Sequence, residues 1–442
     1  SMTLVTANGR EYRPYDDRTQ PPRWIDDYPR TKLRTPREPL IPRPLTLSER
    51  TGPTALEKKL TLGPDDMSRP FPDRPKALGQ YASIEGRVLD EDGKPVPGAL
   101  IEFWQANTSG KYIHELDTND ATVDPNFVGA TRQVTDSEGR YHFRTVIPGA
   151  YPVTASTWEW RAPHIHVSIF GDSWLSRLIT QLFVPGHPIL EQDLLLNSIP
   201  DPAARERLII RMKPTKVRPT GNILEFEQDF VIRGHDQTPT LVDHDDVPSE
   251  AGPFASMTTG PFFPPALIEP SLGDLTQFDG RLAQGKRILL TGRVLEKGLN
   301  PTVNSIVEIW QADHRGVFRH PLDPRHVEAD PGFAGWGRNA TNREGWYRFE
   351  TVMPGSYAGE DGRPRVAHIN AMVLASGILR PLLTTVFFGE DKDDPVLRCV
   401  TDAERRKLLF AVRDPSLNAD GVEAYRFDIV LRGERETPFF LD

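Results

Sequence analysis

The chain has 442 residues, 26% charged and 38% hydrophobic, with 42 prolines and 34 glycines against 6 methionines. That length predicts two or three domains, and the proline and glycine content favours short strands joined by turns over a helical bundle. A net charge of -9 without a basic block argues against nucleic acid, no apolar run reaches the roughly 20 residues of a membrane span, and the single Cys399 excludes an intrachain disulfide or a cysteine-based metal site. No secretory signal opens the chain, and a cytoplasmic location is expected. Residues 1–60 are polar and proline-rich, with isolated Tyr12, Tyr15, Trp24 and Tyr28 and neither a helical nor a strand period. A disordered tail is one reading. The aromatics and the cluster Arg30, Lys32, Arg34 and Arg37 favour an arm laid over a folded surface. Alternating runs then predict strands over 83–89, 99–105, 140–146, 164–170 and 224–234, with turn chemistry at 90–97 and one short helix over 201–210. Many short strands and few helices predict an all-β sandwich or barrel.

The chain then repeats itself. Gly86-Arg-Val-Leu89 returns as Gly292-Arg-Val-Leu295, Glu102-Phe-Trp-Gln-Ala106 as Glu308-Ile-Trp-Gln-Ala312, and Pro148-Gly149 as Pro354-Gly355, all at an offset of 206. Asp229-Phe-Val-Ile-Arg-Gly234 returns as Asp428-Ile-Val-Leu-Arg-Gly433, and Thr51-Gly-Pro53 as Thr259-Gly-Pro261. Two homologous β domains in tandem follow, over 61–245 and 259–442, with a linker over 246–258.

Within the strand at 164–170, His164, His166 and Ser168 share one face and Ile165, Val167 and Ile169 the other. The histidine pair alone admits two readings, two metal ligands or two imidazoles lining a polar cavity. The second copy helps to choose. It has Phe318 for Tyr112 and Asn370 for His166, while Tyr151 persists as Tyr357 and His164 as His368. A phenol and an imidazole are lost together while the surrounding glycines, prolines and tryptophan remain. One working site in the first copy, held by Tyr112, Tyr151, His164 and His166, and a vestigial one in the second is the simplest account. Two phenolates and two imidazoles suit ferric iron better than zinc, because only a strong Lewis acid ionises a phenol at neutral pH.

The motifs Phe103-Trp-Gln-Ala-Asn107, Gly110-Lys-Tyr112, Asp124-Pro-Asn-Phe127, Pro148-Gly-Ala-Tyr-Pro152 and Arg161-Ala-Pro-His-Ile-His166 resemble the catalytic β subunits of the intradiol dioxygenase family. The second copy resembles the α subunits through Thr259-Gly-Pro-Phe262, Ala367-His-Ile-Asn370 and Ala424-Tyr-Arg-Phe-Asp428. The resemblance implies two tandem β-sandwich domains, an extended N-terminal arm and one Fe(III) per chain. It implies O2-dependent cleavage of a carboxylated catechol between its hydroxylated carbons, with protocatechuate giving 3-carboxy-cis,cis-muconate. Tyr112 and His164 would be equatorial ligands and Tyr151 and His166 axial ones, with Tyr151 leaving to take up a catechol proton. Arg161 would supply fixed positive charge and Gln181 would support it. Tyr28 and Arg34 of the arm, with the turn Gly260-Pro261, would close the pocket over the substrate carboxylate. Leu195 falls near a pocket position, and Phe183 stands where a tyrosine is usual. Val153 stands where the family usually has tryptophan, which implies a wider pocket and bulkier substrates, such as gallate-type, methoxylated, sulfonated or hydroxyquinol-like rings. A homo-oligomer is expected. The competing enzyme reading, a catechol or hydroxyquinol dioxygenase, lacks the expected helical N-terminal domain. A tandem β-sandwich that only binds would not explain the four-ligand set.

Overall fold

In the computed structural model, residues 4–5, 11–12, 15–153, 159–213, 222–233, 253–359 and 361–442 are described. Each copy is built on two large sheets, with short two-stranded ladders beside them. In the first copy a four-stranded antiparallel sheet runs in the order Leu178–Phe183, His164–Phe170, Leu100–Gln105, Ala130–Val134. The second sheet centres on Tyr81–Leu89, which pairs antiparallel with Arg140–Val146 and parallel with Ile223–Glu227 and Phe230–Val231. The second copy repeats both. Leu382–Phe387, His368–Leu374, Ile306–Trp310 and Trp336–Ala340 form one sheet, and Arg287–Glu296 pairs with Trp346–Val352, Glu423–Arg426 and Ile429–Val430 in the other. The fold is all-β, with few short helices. No helix among the described residues is long and apolar enough to cross a membrane.

The period of two sets which face does what. Ile165, Val167 and Ile169 pack with Ile101, Phe103 and Phe143 in the core of the first copy. The opposite face is buried too, because it meets the second copy. Trp104, Phe170 and Trp174 share one apolar cluster with Trp310, Phe318 and Trp336. Charges cross the same junction. Arg338 pairs with Glu102 at 2.6 Å and Glu308 at 2.9 Å, Arg132 with Glu102 at 3.0 Å, and Arg177 with Glu308 at 2.9 Å.

The repeated Gly86 and Gly292 have a steric cause. A Cβ at Gly86 would overlap the Gln228 carbonyl, and one at Gly292 the Phe427 carbonyl. Those carbonyls accept from Tyr141 and Tyr347 hydroxyls, each at 2.6 Å. The chain stepping over Gly86 also splits the strand expected over 224–234 into Ile223–Glu227 and Phe230–Val231. The helix expected over 201–210 is shorter, Pro202–Arg207, with the Asp201 carboxylate capping Ala203 N–H at 2.9 Å.

The arm lies across both copies. Ile25 and Tyr28 join the core of the first copy. Arg34 pairs with Glu296, Arg37 N–H donates to Glu436, and Arg43 donates to Thr385, all in the second copy. Of the expected linker, residues 246–252 lie outside the described residues. Phe254, Ala255 and Met257 are buried in the core of the first copy, and Met257 N–H donates to the Ile179 carbonyl at 2.9 Å.

Candidate active site

Two loops and one strand build the site. After the strand Leu100–Gln105, Asn107 accepts from the N–H groups of Ser109 and Lys111 at 2.9 and 3.0 Å, which folds a tight turn. Gly110 in that turn has φ +83, and a Cβ there would run into the Ala150 carbonyl and Tyr151. This close approach brings the Tyr151 segment beside Tyr112, whose own N–H is held by Asp117 at 2.8 Å. Tyr151 is also the register partner of Arg161 in a two-residue ladder.

The four proposed ligands converge. Tyr112 Oη lies 3.4 Å from Tyr151 Oη, 3.4 Å from His164 Nε2 and 3.1 Å from His166 Nε2. Tyr151 Oη lies 3.2 Å from His164 Nε2, and the two imidazole Nε2 atoms are 3.3 Å apart. Donor atoms bound about 2.0–2.2 Å from one ion stand roughly 3–3.5 Å apart, so the set fits a metal. His164 Nδ1 donates to the Ala162 carbonyl at 2.7 Å, which leaves Nε2 with its lone pair facing the cluster. His166 stacks on Trp104, ring centroids 4.9 Å apart and 3° from parallel.

Burial shapes the electrostatics. It pushes both histidines well below the usual imidazole range, and Arg161 adds to this. Burial likewise raises both phenols, Tyr112 most. The scaffold alone therefore presents two neutral phenols and two neutral imidazoles, and a strong Lewis acid is required to ionise the phenols. Among the described residues, no cluster of three His, Cys, Asp or Glu side chains is placed to hold a metal.

Arg161 is buried, its Nε donates to Asp193 Oδ2 at 3.0 Å and its Nη2 to Gln181 Oε1. Burial opposes its charge, but the Asp193 carboxylate, through its charge and its hydrogen bond, and the neighbouring phenols of Tyr151 and Tyr28 together hold the guanidinium protonated. Gln181 in turn donates to the Thr258 carbonyl at 2.8 Å. Asp193, Thr258 and Trp104 were missed from the sequence. A signal for Asp193 existed, because the second copy keeps the same pair as Arg365 and Asp394 at 2.9 Å.

The remaining expected residues are placed unevenly. Gly260, at φ +70, lies against His166, whose Cε1 would be 3.4 Å from an added Cβ. The Pro261 carbonyl accepts from Asn304 of the second copy at 3.1 Å. Val153 closes a hairpin by donating its N–H to the Glu159 carbonyl at 2.9 Å, and residues 154–158 beyond it lie outside the described residues. Leu195 is buried and its N–H donates to Asp193 at 3.1 Å. Tyr28 Oη reaches Ser376 Oγ at 3.3 Å. Arg34 is committed elsewhere, with Nε on Glu296 at 2.9 Å and Nη1 on the Ser376 carbonyl at 3.0 Å.

The matching place in the second copy is filled by the arm. Ser48, on the helix Leu47–Arg50, contacts His368 Nε2 and lies 3.2 Å from Tyr357 Oη. Asn370 donates to Glu49 at 3.0 Å, and Phe318 packs edge-on to Tyr357.

Comparison with known proteins agrees with the duplication. A family model described as "Dioxygenase" matches residues 53–234 and again residues 258–433. The β chain of protocatechuate 3,4-dioxygenase from Burkholderia cepacia is 43% identical over 213 residues, 48% of this chain and 90% of its own. The α chain of the Pseudomonas putida enzyme is 34% identical over 197 residues, 42% of this chain and 94% of its own, and aligns with the other half. Catechol 1,2-dioxygenase 1 of Acinetobacter lwoffii is 31% identical over 182 residues, 39% of this chain and 51% of its own.

Proposed function

The chain belongs to the intradiol dioxygenase family, as a β-like and an α-like copy joined in one polypeptide, and we propose that it cleaves a carboxylated catechol with O2, protocatechuate to 3-carboxy-cis,cis-muconate first among them. The observation that carries this is the convergence of two phenol oxygens and two imidazole nitrogens in one buried cluster. Tyr112, Tyr151, His164 and His166 would hold ferric iron, which supplies the Lewis acidity that ionises phenols and draws electron density from a catechol ring.

The protein's own residues do the rest. Tyr151 is the ligand beside Arg161, and its oxygen is positioned to accept a catechol proton. The Arg161 guanidinium, clamped by Asp193 and Gln181, sets a positive field that does not titrate and stabilises negative charge developing on the ring. Trp104, Phe262 and the Gly260 turn pack round His166 and Tyr112. The Thr258–Pro261 segment, which leads from the linker into the second copy, lies against the site at Gly260, and Asn304 of the second copy holds its Pro261 carbonyl. The protein is expected to work as a homo-oligomer in the cytoplasm, which gel filtration with light scattering and cell fractionation test.

Val153 favours a second reading, the same chemistry on a bulkier or differently substituted catechol. Oxygen uptake across a catechol panel, with product mass, decides between the two. The purified protein should be burgundy with about one iron per chain, and Tyr112→Phe should bleach or shift that band. A colourless, iron-free protein inert to every catechol would overturn the proposal.

A further inference from the structure

Asn304 of the second copy holds a left-handed backbone, φ 54, a conformation that few side chains adopt and that asparagine tolerates best. The first copy has Gly98 at the matching place, with φ +69. The two share one backbone bond, since Gly98 N–H donates to the Thr135 carbonyl at 3.1 Å and Asn304 N–H to the Thr341 carbonyl at 2.9 Å. A Cβ on Gly98 would meet nothing within 4 Å. Asn304 thus carries a side chain at a turn where glycine suffices, and that side chain reaches the candidate site. Its Nδ2 donates to the Pro261 carbonyl at 3.1 Å and to the Phe263 carbonyl at 3.4 Å, and stands 3.2 Å from His114 Nε2. Two carbonyls take the two protons of one amide.

The segment clamped in this way supports two of the four proposed ligands. Phe262 packs on Tyr112, ring centroids 5.1 Å apart, and on His114 at 5.7 Å. Phe263 is buried and meets Trp104 edge-on at 4.9 Å, and Trp104 stacks on His166. Tyr112 and His166 are the two ligands that the second copy lacks, where Phe318 and Asn370 stand. The supports are missing with them. After the first Thr-Gly-Pro the chain runs Thr54-Ala55 in place of Phe262-Phe263, and Gly98 has no side chain to hold it. The aromatic pair, the clamp and the two ligands therefore occur together at one site and are absent together at the other.

We infer that Asn304 is a positioning residue, through which the second copy sets the Tyr112 and His166 pair of the first. It fixes the carbonyls on either side of Phe262, and with them the two rings that press on Tyr112 and on Trp104. This rests on the iron site proposed above and gives the second copy a part in it. Loss of the clamp leaves the ligands present but loosens their aim, so the cost falls on metal retention.

The test compares Asn304→Gly and Asn304→Asp with the wild type. Glycine keeps the left-handed turn, as Gly98 does in the first copy, and removes the clamp. Aspartate keeps the shape of the side chain and loses both donors. Amide hydrogen exchange is read on the iron-free protein over residues 112–117 and 259–264, where both variants should exchange about 10-fold faster than the wild type. On the iron-loaded protein, both should release iron to a chelator about 10-fold faster and shift the visible band. Exchange unchanged in both variants overturns the inference. So does faster exchange with iron release and the band as in the wild type, because the clamp then fails to reach the ligands. A change in one variant alone also overturns it, since glycine alone would report chain freedom and aspartate alone a new charge. Exchange separates this from the functional reading, because it needs neither metal nor turnover. If the wild type takes up no ferric iron, the function proposed above fails. The clamp then stands if exchange over 112–117 rises in both variants, and falls if it is unchanged.

Discussion

Arg161 shows how much a single side chain depends on what holds it. Its guanidinium is buried and has two fixed partners, Asp193 and Gln181. Asp193 does more than balance charge. One oxygen accepts from Arg161 Nε and from Ala162 N–H at 2.9 Å, and the other accepts from Leu195 and Leu196 N–H. All its strong acceptor positions are therefore spent on aiming Arg161 and the backbone that leads into His164. Asp193 is a positioning residue, and a misplacement of about 1 Å at a reacting site costs on the order of 100-fold. Asp193→Asn should lower kcat about 10–100-fold with KM for catechol nearly unchanged, and the visible band of the iron site should persist. A loss of iron or a collapse in Tm with no kinetic signature of its own would show a purely structural role. This residue is hard to read in the sequence because it sits 32 positions from its partner with no local motif around it, and only the repeat of the pair as Arg365 and Asp394 signals it. The tyrosines and histidines stand out in the sequence because the second copy changes two of the four, whereas the pairing of Arg34, expected to lend positive field to the substrate carboxylate, with Glu296, 262 residues away, is invisible locally.

At the scale of elements, the strand His164–Phe170 was readable to its end residues because alternation is a local property. The arm was not readable, because its partners lie hundreds of positions away. The helix Leu47–Arg50 is the clearest case. It fills the second copy's pocket with Ser48 and Glu49, while the equivalent residues before the second Thr-Gly-Pro, Ser256 and Met257, take no helix. Glu49 is fully buried. Burial alone would raise its pKa, but Arg43 and Arg365 outweigh burial and hold it below the usual carboxylate range. Removing that charge takes the nearby counter-charge from the buried Arg43 and the more distant of two carboxylates from Arg365, which keeps Asp394. Glu49→Gln should therefore cost about 3–5 kcal/mol at pH 7, read by denaturant titration, while kcat per iron in the first copy stays unchanged. Wild-type stability after the substitution would mean that the arm's grip comes from apolar contacts alone.

At the scale of the whole molecule, the two copies are welded by charge as well as by tryptophan. Glu102 of the first copy takes Arg132 from its own sheet and Arg338 from the other copy, and Glu308 takes Arg338 and Arg177. Burial would raise the pKa of Glu102, yet Arg338 first, then Arg132 and Arg177, bring it down to about 2 from an ordinary 4.5. A carboxyl whose folded pKa is depressed binds its proton more readily in the unfolded chain. Its stabilisation is thus complete above about pH 4.5 and is lost as the pH falls towards 2, up to about 3 kcal/mol at the limit. Glu308, also held below its ordinary range, adds a loss of the same sign. Because Arg338 bridges the copies, that loss should fall on their junction and on both copies together. Calorimetry from pH 6 to pH 3 should show one transition whose midpoint drops with acid, and Glu102→Gln should flatten that drop and lower the pH 7 midpoint. Two resolved transitions at pH 7, or an acid slope unchanged in Glu102→Gln, would show that the copies are independent units and that this charge cluster does not hold their junction.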